Sequence, residues 1–168
     1  MRENWKHSVE VGLSFGLTSG VITTLGLMVG VYSGTHSTLA VIASVLTIAI
    51  ADAMSDALGI HIAEESENVH TTQEVWVATL TTFFAKFFVS ASFLIALFLL
   101  ELQLAVLVNI VWGTVLMVVH NYFVGKKQKS STWGVIAEHL FIAFLVIVIT
   151  YYLGDWVNDL LAGVDDNL

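Results

Sequence analysis

Five long apolar runs divide the chain, and each is longer than the core helix of a soluble domain needs to be. Short polar stretches separate them: 33–37, 64–74, 101–103 and 125–131. The pattern predicts an all-α polytopic membrane protein with five transmembrane helices. The spans are approximately 9–32, 38–63, 75–100, 104–124 and 132–153, in a single transmembrane domain over 1–168. No solenoid repeat, linker or low-complexity segment interrupts it. The acidic tail after the fifth run reads as ending in a short helix lying along the membrane surface.

The polar residues inside these runs carry the information. In the second run Asp52 and Asp56 are four apart, so they stack on one helix face. At about 100° per residue Glu67 falls near the same stripe, at the aqueous end. Glu64, Glu65, His70 and Glu74 surround that end, while Met54 and His61 fall near the opposite side of the helix. The third run carries Lys86, with Thr82 and Ser90 one turn to either side. The first run holds a ladder of Gly12, Gly16 and Gly20, continued by Gly26 and Gly30, with Ser19 and Thr23 near the same face. Glu10, Ser14 and Thr18 make a separate polar stripe. The fourth run places Asn109, Gly113 and His120 on one face, and the fifth begins with Trp133 and carries Glu138 and His139.

A carboxylate within a membrane span costs several kcal/mol, so Asp52 and Asp56 read as a cation or proton site. The alternative is a structural ion pair with Lys86. Two adjacent carboxylates repel, so one holds a proton when no cation is bound. Cation entry would then release a proton, which is the logic of an antiporter. Lys86 either neutralises the empty site or extends along its stem to an interface. Asn109, His120 and Asn121 suit hydrogen bonding between helices. Glu64 and Glu67 would gather cations at the mouth, as further metal ligands. Glycine ladders allow close backbone approach, so the first span is the expected homodimer face.

Composition narrows the classes. Of 168 residues 57% are hydrophobic, and the mean hydropathy is +0.83, so the lipid bilayer is the first partner. The absence of cysteine excludes disulfides, thiolate metal sites and a thiol nucleophile. The absence of proline leaves Gly or Ser to break any helix. A net charge of −8 argues against nucleic acid and suits attraction of cations. The first run is too long, and too rich in Gly and Thr, for a cleaved signal peptide. Arg2, Lys6, Lys126, Lys127 and Lys129 all fall at one end of a five-span topology. That predicts a cell-membrane protein with a cytoplasmic N-terminus and an outside C-terminus. His61, His120 and His139 match no hydrolase spacing, so no enzyme is expected.

The stretch Phe15-Gly16-Leu17-Thr18-Ser19-Gly20-Val21-Ile22-Thr23-Thr24-Leu25 resembles the first-span signature of the vacuolar iron transporter family. Span two, leading into Ala53-Met54-Ser55-Asp56, and the basic loop with the fifth span are similar to that family too. The chain resembles a small, prokaryotic-type member without the cytoplasmic metal-binding domain of the plant and fungal proteins. The resemblance implies a homodimer exporting Fe²⁺ or Mn²⁺ in exchange for protons, along a path between subunits lined by first and second spans. Ser19 stands where the family usually has Asp. In the preferred register Asp56 takes the place of the family's second-span Glu, and Asp52 that of its Met. Hydroxyl and carboxylate thus replace carboxylate and thioether, which favours hard cations over Cu⁺.

The function expected is transport of a divalent metal cation (Fe²⁺ or Mn²⁺), coupled to protons and directed out of the cytosol, with no tightly bound cofactor. Asp52, Asp56, Glu64 and Glu67 are the expected metal ligands. Glu10, Ser14, Thr18, Ser19, Met54 and His61 are candidates for the ion path, and Lys86 is the charge partner. The alternative is a membrane scaffold or accessory protein of the same fold that transports nothing.

Overall fold

A computed structural model of the chain describes residues 2–127 and 131–165, so Lys129 lies outside the described residues. The described chain is six helices: α1 (Arg2–Thr35), α2 (Thr38–Ser66), α3 (Thr72–Ser92), α4 (Leu94–Leu99), α5 (Leu102–Lys127) and α6 (Thr132–Asp165). Five spans are long and apolar enough to cross a membrane, the third made of α3 and α4 together. The protein is therefore an all-α, multi-pass membrane protein. The helices overrun the apolar runs at both ends because hydrogen bonding continues after hydropathy stops. As far as Asp165 the tail forms no separate surface helix. It continues α6, whose 34 residues reach about 51 Å, well beyond a hydrocarbon core of about 30 Å.

Hydroxyl side chains start the spans. Ser37 accepts from Ala40 N (3.3 Å), and Ser131 accepts from Gly134 N (3.3 Å). Thr71 and Glu74 form a capping box, in which Thr71 N donates to Glu74 Oε2 (2.8 Å) and Glu74 N to Thr71 Oγ1 (3.4 Å). The sequence groups Glu74 with the acidic end of the second run. The Thr-x-x-Glu spacing gives its place instead as a helix start.

α1 is the central helix and packs against α2, α3, α5 and α6. Its Val21, Leu25, Met28 and Val29 meet Val41 and Val45 of α2, Phe93 and Leu97 of the third span, and Val106 and Met117 of α5. The glycines explain how α1 reaches so many neighbours. A Cβ on Gly16 would stand 2.6 Å from Thr82 O, and one on Gly154 would collide with Gly30 O. Gly12, Gly16 and Gly20 thus seat α3, while Gly26, Gly30 and Gly34 seat α6. The glycine ladder expected to join two copies through span one packs against α3 and α6 of its own chain.

α3 turns the usual amphipathic order around. Leu80, Phe84 and Phe88 point outward, while Thr82, Lys86 and Ser90 are fully buried. In lipid this is the stable arrangement, because polar groups find partners only inside the bundle. The third span breaks at Phe93, among serines and without proline. Ser92 Oγ donates to Val89 O (2.6 Å), and the freed Phe93 carbonyl accepts from Asn109 Nδ2 of α5 (2.9 Å). Thr24 Oγ1 donates to Ser90 Oγ (2.8 Å), and Trp112 Nε1 donates to Ser92 Oγ (2.9 Å). Asn109 thus bonds between helices as expected. Asn121 instead bonds its own helix at Met117 O (2.8 Å).

Candidate functional site

The site lies where α1, α2 and α3 meet near mid-membrane. Lys86 is residue 15 of the 28 in the third span, about 21 Å along it. The close approach of α3 at Gly16 and Gly20 sets its Cα against α1, and its stem lies beside the Gly20 position. From there the ammonium reaches α2. Lys86 Nζ donates to Asp56 Oδ2 (2.5 Å) and to Ser19 Oγ (2.9 Å), and it forms an ion pair with Asp52 Oδ2. Ser19 Oγ in turn donates to Asp56 Oδ2 (2.6 Å). The i, i+4 spacing of the two aspartates presents both carboxylates to one ammonium.

The three charged groups are unequal. The Lys86 side chain is 0% exposed, whereas those of Asp52 and Asp56 retain 30% and 20% exposure. Asp56 receives two directed hydrogen bonds. Asp52 Oδ2 is close to the ammonium but receives no hydrogen bond of proper geometry, so charge alone holds it. Two carboxylates against one ammonium leave a formal charge of −1, open toward the outer face of α2. Among the described residues that face is exposed and packs on no other helix. Along it the small residues Ala43, Thr47, Ala51, Ser55, Gly59 and Ala63 recur every fourth position, all exposed, and nothing lies within 4 Å of a Cβ on Gly59.

The expected metal set separates in space. Glu64 and Glu67 sit at the end of α2, Glu64 about 12 Å along the helix from Asp56. There His70 Nε2 lies 3.5 Å from Glu64 Oε2 and 3.4 Å from Glu67 Oε2, and the His70 ring stacks on His7 of α1 (5.9 Å between centroids). Glu64 is 7% exposed and its Oε2 takes no hydrogen bond from the described residues, whereas Glu67 is exposed. Among the described residues no group of three or more His, Asp or Glu side chains is placed to hold a metal ion.

The other path candidates scatter. Ser19 is in the site. Glu10 is not: it accepts from Lys127 Nζ of α5 (2.5 Å), and Ser14 lines a cleft between α1 and α5. Thr18 makes no side-chain hydrogen bond within the described residues. Met54 is 61% exposed on the free face of α2. His61 pairs with Thr79 Oγ1 (2.9 Å) and meets the Trp76 ring edge-on, a structural contact between α2 and α3. Reading the sequence missed that Lys86 would hold both aspartates at once; Ser19, expected on the path, joins them. The visible signal was the position of Ser19 beside Gly20, on the α1 face that the glycines open to α3.

Fold and site together define a polytopic helical membrane protein with a lysine-bridged pair of carboxylates at mid-depth. Comparisons with protein families, with curated proteins and with solved structures return no match to this chain.

Proposed function

We propose that the protein is a proton-coupled transporter of divalent metal cations, with Asp52 and Asp56 as the exchange site and Lys86 as an internal cation that fills it between cargoes. The observation that carries this is the buried Lys86 ammonium between two carboxylates whose other sides stay open. The site is short of one positive charge, and low dielectric makes that deficit costly unless a proton or cation enters. A divalent cation arriving at Asp52, the less tightly held carboxylate, would repel Lys86 and any bound proton. Cation binding and proton release then compete for the same oxygens. The donors are carboxylate and hydroxyl oxygen, the set that hard ions such as Mn²⁺ and Fe²⁺ accept.

Cargo is substrate here, and its remaining ligands would be water and a second chain. The free face of α2 suits a second copy, since its small-residue ladder allows close helix approach and would cover the half-open carboxylates. Glu64, Glu67 and His70 form the mouth at the end that also bears Lys6, Lys126 and Lys127. By charge bias that end is cytoplasmic and the direction is export.

One observation favours a second reading, that of a scaffold. Lys86 and Ser19 already hold Asp56, and among the described residues no three-ligand metal group stands ready. Flux separates the two. In vesicles loaded with a metal-quenched dye, a pH gradient should drive Mn²⁺ or Fe²⁺ uptake, and Asp56→Asn should abolish it with the protein still folded. Absence of flux under every gradient, with folded protein, selects the scaffold.

A further inference from the structure

A second candidate site lies on the other side of α1, away from the aspartates. The ends of α1 and α5 that carry Lys6 and Lys127 enclose a cleft of about 470 Å³, lined by His7, Glu10, Leu13 and Leu17 of α1 and by His120 and Phe123 of α5 among others. It receives nothing from α2 or α3. Its lining is graded. Glu10 and Lys127 stand at the rim, joined through Glu10 Oε1 at 2.5 Å. Leu13 and Phe123 form exposed apolar walls, and Leu17 lies about 10 Å from Glu10 along α1 by helix rise. Trp5 lies about 8 Å beyond Glu10 along α1 by helix rise, and it and Trp133 are both exposed at this end of the bundle, where aromatic residues mark a membrane–water boundary.

The rim charges are only partly used. An ammonium has three donors, and within the described residues Lys127 uses one, on Glu10. Glu10 Oε2 takes no hydrogen bond from the described residues. His120, one turn and more below the rim, makes none either. A carboxylate and an ammonium side by side, above a mostly apolar cleft whose Leu13 and Phe123 walls are exposed, complement a ligand with the reverse pair and an acyl tail. We propose that this cleft binds a phospholipid with a primary-amine zwitterionic headgroup, of the ethanolamine type. The ligand ammonium donates to Glu10, its phosphate accepts from Lys127, and one chain lies along Leu13, Leu17 and Phe123. A choline headgroup cannot donate to Glu10, and a glycerol headgroup brings no cation to it. The assignment is independent of transport.

The test is native mass spectrometry of the full chain in detergent, with equimolar ethanolamine, choline and glycerol phospholipids of identical chains. The wild type should retain the ethanolamine lipid about fivefold over either other, the scale of one exposed charge contact. Glu10→Gln should reduce that preference to about twofold or less. Leu13→Trp, at an exposed position, should lower retention of all three lipids. Equal retention by the wild type, preference for the glycerol lipid, or an unchanged preference in Glu10→Gln each overturns the proposal. The wild-type comparison needs no variant to fold.

Discussion

Lys86→Met removes the ammonium and keeps most of the volume of its stem. Because Lys86 is fully buried and in contact with both Asp52 and Asp56, the change leaves two carboxylates facing each other at mid-membrane. Breaking a buried ion pair by removing one partner costs about 3–5 kcal/mol. The partial exposure of the carboxylates lowers this, since water and a proton can reach them, so we expect a loss of about 2–4 kcal/mol. The partner substitution is Asp56→Asn, which on its own removes one negative charge and keeps the bridge to Asp52. In the double variant a single carboxylate remains, with Asn beside it, so much of the repulsion disappears. The coupling between the two changes should therefore be favourable by about 1–3 kcal/mol. Reversible unfolding in mixed micelles, followed by helicity for the four proteins of the cycle, measures it. Effects that add to within about 0.5 kcal/mol would refute the shared-ammonium geometry.

Three further outcomes follow from the packing. Gly16→Leu should destabilise the fold by about 3 kcal/mol or more, since its side chain would enter the α3 backbone, while Gly59→Leu should stay within about 0.5 kcal/mol because its Cβ meets nothing; if α2 joins two copies, Gly59→Leu should also shift the oligomer to monomer in light scattering. Asn109→Leu leaves the buried Phe93 carbonyl without its donor and should cost about 1–3 kcal/mol in micelle unfolding, with the loss confined to the α3–α4 break in hydrogen exchange. Thr71→Ala removes half of a capping box and should cost about 1 kcal/mol, read as faster exchange at the start of α3.

The spans were legible because run length and hydropathy are direct physical requirements of a bilayer. Where a span breaks was less so. Serines are tolerated in membrane helices, and only the placement of Asn109 and Trp112 on α5 shows that Phe93 is where the third span yields. The glycine ladder announced close approach but not its partner; α3 and α6 of the same chain fill the place a second copy was expected to take. The spacing of Asp52 and Asp56 set their common face. Which of them would meet Lys86 depended on the depth at which α3 crosses α2, and that depends on Gly12 and Gly16, far away in the sequence. Glu10 and Ser14 misled because a polar stripe on α1 has no label for its neighbour. It turned to α5, toward Lys127 and an open cleft, and left Ser19 alone of the expected path on α1 to face the aspartates.

The central claim is that Asp52 and Asp56 exchange a metal cation for protons against Lys86. The most direct measurement records metal flux and internal pH together in sealed proteoliposomes, for the wild type, Asp52→Asn and Asp56→Asn. The account predicts Mn²⁺ or Fe²⁺ uptake with simultaneous proton movement the other way, both lost in Asp56→Asn and weakened in Asp52→Asn. Metal uptake that continues unchanged in Asp56→Asn, or that moves no protons, would contradict it.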